Sequence, residues 1–292
     1  MKVPRKRWLL STAAMIFKGQ RMETNMKKYL AFFRLRFSMG LQYRTAAFAG
    51  IITQFAWAIM EILMFRAFYQ TDASAFPMTF QATCTYVWMQ QAFLALFMAW
   101  MMENEIFDSI INGNIAYELC RPINVYHMWF ARSLANRFSK AVLRCLPILL
   151  AAAFIPAPYG LMLPESPAAF FLFLFTLFMG TGVTVAFCML VYMISFFTLS
   201  PQGIRMVAVS VVEFLSGATI PLPFFPDQVR RILELLPFAS MQNVPLRIYS
   251  GDLYGAAAWQ AAGLQLFWLL ALFGLGRIID ALAMKKITVQ GG

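Results

Sequence analysis

Histidine is almost absent from this chain: His127 is the only one in 292 residues. That removes most His-dependent metal sites, and it leaves a Ser-His or Cys-His catalytic pair only if one is built on that residue. Cysteine is scarce too. Cys84, Cys120, Cys145 and Cys188 lie in or beside apolar runs or in a link between them, without CxxC spacing, so neither a disulfide framework nor a metal site is indicated. Charged residues make up only 13%. No G-x-x-x-x-G-K-S/T phosphate loop occurs, which excludes ATP hydrolysis by the P-loop route. No GxSG, HExxH or paired-Asp arrangement lies in an apolar run, so the chain is not expected to be an enzyme.

What it has in excess is apolar surface. Hydrophobic residues reach 61% with a mean hydropathy of +0.65, against roughly 45–50% apolar and 25% charged in soluble domains. Such a chain cannot hide its apolar surface in one aqueous core, and the expectation is a single all-α integral membrane domain. A membrane-spanning helix needs about 20 apolar residues. Six stretches qualify, near 46–68, 80–102, 141–163, 168–198, 204–224 and 256–283. The fourth is over-long and is expected to tilt, to bend near Gly180 and Gly182, or to extend past the membrane.

The net charge of +11 would suggest nucleic acid in a soluble protein, so the placement of the cations decides. Before the first apolar run stand Lys2, Arg5, Lys6, Arg7, Lys18, Arg21, Lys27, Lys28, Arg34, Arg36 and Arg44, against the single acid Glu23. The 103–144 link holds Arg121, Arg132, Arg137, Lys140 and Arg144. Arg205 marks the fourth-to-fifth link, and the tail holds Arg277, Lys285 and Lys286. Only Arg66, Arg230, Arg231 and Arg247 fall on the alternate side. Cytoplasmic links carry the Lys and Arg excess, so six spans with both termini cytoplasmic is the expected topology, and nucleic-acid binding is not expected.

Residues 1–25 have a basic start and a short apolar run, Trp8 to Phe17, that mimics a signal peptide but is broken by Ser11 and Thr12. They read as a disordered or interfacial basic extension, with a translation start at Met22 or Met26 as the alternative. From Met26 to Arg44, the residues Met26, Tyr29, Leu30, Phe33, Phe37 and Leu41 recur at helical spacing, with Lys27, Arg34, Ser38 and Gln42 opposite. That pattern predicts an interfacial helix over 26–44 along the cytoplasmic leaflet; a basic lead-in that only sets topology is the alternative.

The link after the second run is long and of mixed charge. Glu103, Glu105 and Asp108 precede Ile110 and Ile111, Asn112-Gly113-Asn114 signals a turn or cap, and Arg121-Pro122 closes a second short segment. One or two short helices parallel to the membrane fit, either as a docking surface or as a plain amphipathic elbow. Acids also fall inside apolar runs. A carboxylate in hydrocarbon is costly unless paired, hydrated or protonated, which marks Glu61 and Glu213 as candidate sites. Glu61 stands near Arg66 and is expected to snorkel; Glu213 precedes Ser216-Gly217-Ala218-Thr219-Ile220-Pro221, where the helix must loosen, and is expected to face protein in a packing or pathway role. Gln90 and Gln91 in the second run share that pathway-or-packing expectation. After Pro223, Val229, Ile232, Leu233 and Leu236 at helical spacing predict a short helix dipping into the outer leaflet as a lid or a cap.

From about Met26 onward, the chain resembles the membrane subunits of ABC-2 type transporters, the permease group described as ABC-2 family transporter proteins. The resemblance rests on Leu41-Gln42-Tyr43-Arg44, Tyr86-Val87-Trp88-Met89-Gln90-Gln91-Ala92, Asn112-Gly113-Asn114-Ile115 to Leu119-Cys120-Arg121-Pro122, and Ser216-Gly217-Ala218-Thr219-Ile220-Pro221 followed by Phe224-Phe225-Pro226. It implies an N-terminal connecting helix and an extracytoplasmic re-entrant pair over 216–250. It also implies a coupling helix around Asn112, Gly113, Asn114, Glu118, Arg121 and Pro122 that seats in a separate ABC ATPase subunit. Two ATPase copies would carry ATP and Mg, with no cofactor on this chain. A second permease subunit would complete the core, a heterodimer being favoured over a homodimer, in a bacterial inner membrane and working in export. An ion- or proton-coupled secondary transporter or channel subunit is the rival reading; it calls for paired broken helices and midplane ionisable groups, and no clear repeat is visible.

Overall fold

The computed structural model describes residues 26–121, 123–198 and 200–286, and among them every regular element is helical. The extension 1–25 and Pro122 of the implied coupling segment lie outside the described residues. Helix α1 spans 26–40 and leads into α2 (Arg44–Thr71). Three helices are long and apolar enough to cross a bilayer: α2, α8 (Pro167–Ser195) and α12 (Gly255–Lys286).

Helix α8 is the axis of the bundle. Ser166 caps it by accepting from the Ala169 N–H at 3.1 Å, and Pro167 follows at the first helical position. It runs unbroken through Gly180 and Gly182. Its residues are apolar all round because neighbours cover most of its length, and Thr176, Thr181, Thr184 and Ser195 return their hydroxyls to carbonyls one turn back. At Gly180 an added Cβ would lie 2.3 Å from the Met241 carbonyl, so this glycine is what lets the buried 239–250 segment pack against α8. Helices α2 and α12 are different. Each buries one side and leaves the other exposed, with Phe48, Ile52 and Leu63 on α2 and Trp259, Phe267, Leu270 and Ile278 on α12. Continuous apolar faces of this kind suit lipid rather than water.

The other apolar runs are built less simply. Over 80–102 the helix breaks: α3 (Phe80–Ala92) ends at Phe93, a single turn α4 (Leu94–Phe97) follows, and a 3-10 turn covers Ala99–Met101. The third run belongs to α7 (Val125–Phe154), which begins well inside the stretch read from sequence as a link. Asn124 starts it by accepting from the His127 N–H at 3.2 Å. Arg132 and Arg137 are paired inside the protein, which is why the helix continues through them. The fifth run holds α9 (Pro201–Leu215), which ends where Gly217 takes a φ of +81°. Two short helices, α10 (Asp227–Leu235) and α11 (Asn243–Tyr249), lie between α9 and α12.

Arg137 of α7 resolves the broken run. Only 3% exposed, its Nη1 donates to the carbonyls of Ala95 at 3.1 Å, Leu96 at 3.3 Å and Met98 at 2.9 Å, and its Nη2 to Cys188 Sγ at 3.3 Å. A cation at a helix C-terminus meets both the orphan carbonyls and the negative end of the helix dipole. Arg137→Met is expected to leave those carbonyls unpaired and to destabilise the fold by about 3 kcal/mol or more. Arg137→Lys keeps the charge but not the planar fork, and should fall between. Thermal unfolding of the detergent-solubilised protein reads both, and an unchanged midpoint for Arg137→Met would show the guanidinium to be dispensable.

Candidate functional site

Residues 103–121 form a compact knob. Helix α5 (Asn104–Ile111) and helix α6 (Ile115–Leu119) are joined by the Asn112-Gly113-Asn114 turn. Gly113 has a φ of +71°, which a side chain would oppose. The knob's inner face is apolar and anchored: Ile106, Phe107 and Ile115 are buried, with Phe107 edge-on to Tyr192 of α8 at 5.0 Å. Glu103, Glu105 and Glu118 are tied down as well. Arg132 of α7 bonds both Glu103 and Glu105, and Ser133 Oγ donates to Glu103 at 3.3 Å. Burial works to lower the Arg132 pKa, but the two carboxylates outweigh it and hold the group above its ordinary value. The Glu103 N–H donates to Tyr192 Oη at 2.6 Å, and the Trp129 indole N–H to Glu118 at 2.5 Å. Arg205 of α9 bonds Asn104, reaches the Trp100 carbonyl at 3.3 Å and lies over the Phe107 ring.

The implied coupling residues therefore divide. Asn112, Gly113, Asn114 and Arg121 are exposed at the tip, whereas Glu118 is half-buried and engaged with Trp129. Beside the tip, Tyr117 is 76% exposed and Ile111 53%. Tyr117 was not singled out from the sequence, although its position two residues after Ile115, on the opposite face of α6, carried the signal. A second junction was also missed. The Asn124 N–H donates to Tyr29 Oη of α1 at 3.1 Å, and Arg277 of α12 donates to Asn124 Oδ1 at 3.0 Å. One asparagine thus joins α1, α7 and α12 next to the knob.

All four intramembrane polar candidates line one groove of about 1050 Å³. Thr53, Gln54, Trp57, Glu61 and Met64 present one face of α2; Gln90 and Gln91 come from α3, Glu213 from α9, and Lys140 and Arg144 from α7. Glu61 accepts from Gln91 Nε2 at 3.5 Å. It does not pair with Arg66, whose guanidinium lies over the Tyr159 ring instead. Glu213 has no hydrogen-bond or ion-pair partner among the described residues. Gln54, missed by sequence reasoning, is 3% exposed, and neither amide atom has a partner.

The wall opposite α2 is the loosened segment after α9. Gln90 Nε2 donates to the Ala218 carbonyl at 2.7 Å and Tyr86 Oη to the Gly217 carbonyl at 3.2 Å. On the far side, Arg247 of α11 clamps Glu234 of α10 and Asp252, each at 2.5 Å. Its pKa too is opposed by burial and carried above the ordinary value by those carboxylates. A Cβ at Gly217 would stand 3.2 Å from Tyr86 Oη and 3.3 Å from Leu222 Cγ in a left-handed backbone. Gly217→Ala is expected to lower stability by about 1–2 kcal/mol, and Tyr86→Phe by about 1 kcal/mol, both read as unfolding midpoints. If Gly217→Ala unfolds at the wild-type midpoint, the turn does not require its positive φ.

A comparison with curated proteins returned no match. The family model described as ABC-2 family transporter protein matches residues 55–291, a stretch that takes in most of the groove's lining, the knob and the 216–250 segment. The chain belongs to the ABC-2 transporter family and is a membrane permease of the ABC type.

Proposed function

We propose that this chain is the membrane-spanning subunit of an exporter energised by a separate ABC ATPase. It crosses the bacterial inner membrane six times with both termini in the cytoplasm. Helix α1 lies along the inner leaflet, and 216–250 forms a re-entrant element closing the outer side. The domain runs from residue 26 to the C-terminus. Asn112, Gly113, Asn114, Glu118 and Arg121 belong to the coupling segment, and Glu61, Gln90, Gln91 and Glu213 face the pathway. Two ATPase copies carry ATP and Mg, this chain binds no cofactor and catalyses no reaction, and a second permease subunit completes the core, a heterodimer being favoured.

The observation that carries this reading is a mechanical connection. The knob has an exposed apolar tip but a rigidly bonded base, which suits a docking surface that must transmit force. Through Arg205 the knob is tied to α9, and α9 carries Glu213 into the groove. Displacing the knob therefore moves a groove wall. Alternation between inward and outward access follows if the ATPase biases two arrangements of that wall.

Purification of the full chain in mild detergent should return a second protein with ATPase activity. Tyr117→Ala is expected to weaken that association about tenfold or more, as for an aromatic anchor in an interface. Arg121→Glu should uncouple hydrolysis from transport while leaving membrane insertion intact. Repeated isolation of the chain without any nucleotide-binding partner would sink the reading.

A further inference from the structure

A second, smaller groove of about 390 Å³ lies between α1 and α7, lined among others by Arg36, Gly40, Glu103, Arg132 and Asn136. Lys140 and Arg144 line this groove and the membrane groove alike, so they stand at their shared border. The charge at that border is uncompensated. Arg132 takes both carboxylates of the smaller groove, Glu103 and Glu105. Arg36 rests on the Phe32 ring at 5.5 Å and makes no ion pair among the described residues. Burial first, and then the Arg132 charge, push the Arg36 pKa down; Glu105, Glu103 and Glu118 act the other way without outweighing them, and none of the three pairs directly with Arg36. Lys140 Nζ has Met101 Sδ at 3.8 Å as its hydrogen-bond partner, and Arg144 Nε is buried with none. The Arg144 guanidinium lies flat on α2 only because residue 50 is glycine: a Cβ there would sit 2.5 Å from its Cζ.

Beyond this basic border the membrane groove changes character. Gln54, one turn past Gly50, offers an unpaired amide. Glu61 lies eleven residues past Gly50, about 16 Å along the helix, and Trp57, Leu94 and Met98 supply apolar wall between the two ends. Cations thus stand at the α2 end that follows the basic arm, acids at the other, with apolar surface and one free amide between them.

We propose that this border is a binding site for an anionic phospholipid of the inner leaflet. The phosphate takes charge-assisted hydrogen bonds from Arg144, Lys140 and Arg36. The ester region meets the Gln54 amide, and an acyl chain lies along Trp57, Leu94 and Met98. Glu61 and Glu213 repel an anion and so hold the headgroup at the basic end. A choline headgroup fits worse, because it carries its own cation against three others. The site stands apart from the coupling reading and holds whether or not an ATPase binds the knob.

Tryptophan quenching by brominated lipids tests it on the full chain in detergent, since Trp57 and Trp100 line the groove. Brominated phosphatidylglycerol should quench at about tenfold lower concentration than brominated phosphatidylcholine. Lys140→Gln with Arg144→Gln should abolish that preference. Arg36→Gln, on a helix at the bundle's periphery, should lose about fivefold and serves if the double variant does not fold. Arg231→Gln, far from the border, should change nothing. Equal quenching by the two lipids, a preference that survives the cation variants, or an equal loss in Arg231→Gln overturns the proposal. So does full displacement of the lipid by millimolar inorganic phosphate, which would mark a bare anion site.

Discussion

The fold depends on how one buried guanidinium ends a broken helix. In an apolar medium every backbone carbonyl must find a donor within the protein, so a helix can stop inside the bundle only where something takes its last carbonyls. Arg137 does this for Ala95, Leu96 and Met98 at once, and its other nitrogen reaches Cys188 on the central helix. The consequence is architectural. Because the chain leaves the helical path near Phe93, the residues that follow deliver α5 against α7, α8 and α9. Because Arg137 must come from a neighbouring rigid element, α7 has to be helical already at that depth.

The same logic explains why the knob is stiff at its base and bare at its tip. Its anchors come from three helices: Arg132 and Trp129 from α7, Tyr192 from α8 and Arg205 from α9. Three directions of attachment leave little freedom for the knob to move without them. Asn124 adds α1 and α12 to that set through Tyr29 and Arg277. In the proposed cycle, a push on Tyr117 or Arg121 is therefore a push on the bundle, and α9 is the element whose far end reaches the groove.

Much of this was legible in the sequence wherever hydropathy averaged over a window is the governing quantity. The runs that became α2, α8 and α12 were placed within a few residues of their helices, and Glu61, Gln90, Gln91 and Glu213, picked as polar residues in apolar runs, proved to share one groove. What escaped were pairings between distant residues. Arg132 and Arg137 counted in sequence only as orientation charges, because nothing local reveals that their partners stand 27 to 51 positions away. The early start of α7 was hidden for the same reason: a stretch with three arginines and a lysine reads as solvated until their buried partners are known. Tyr117 was passed over because the acids around it drew the reading toward charge, when the uncovered tip also presents apolar side chains.

The groove's two walls differ in a way that bears on its use. The α3 wall is satisfied: Gln90 and Tyr86 spend their donors on the carbonyls of Ala218 and Gly217, and Gln91 spends one on Glu61. Those bonds hold a glycine-containing turn that has no helix of its own to support it. The α2 and α7 wall is not satisfied, since Gln54 keeps both amide atoms free and Arg144 keeps Nε free. A buried donor or acceptor left without a partner costs about 1–3 kcal/mol, and a fold does not retain several on one face without compensation. The compensation can come from a molecule that enters the groove and bonds there. The unpartnered polar atoms therefore belong to the α2 and α7 side, while the α3 side keeps the turn after α9 in register.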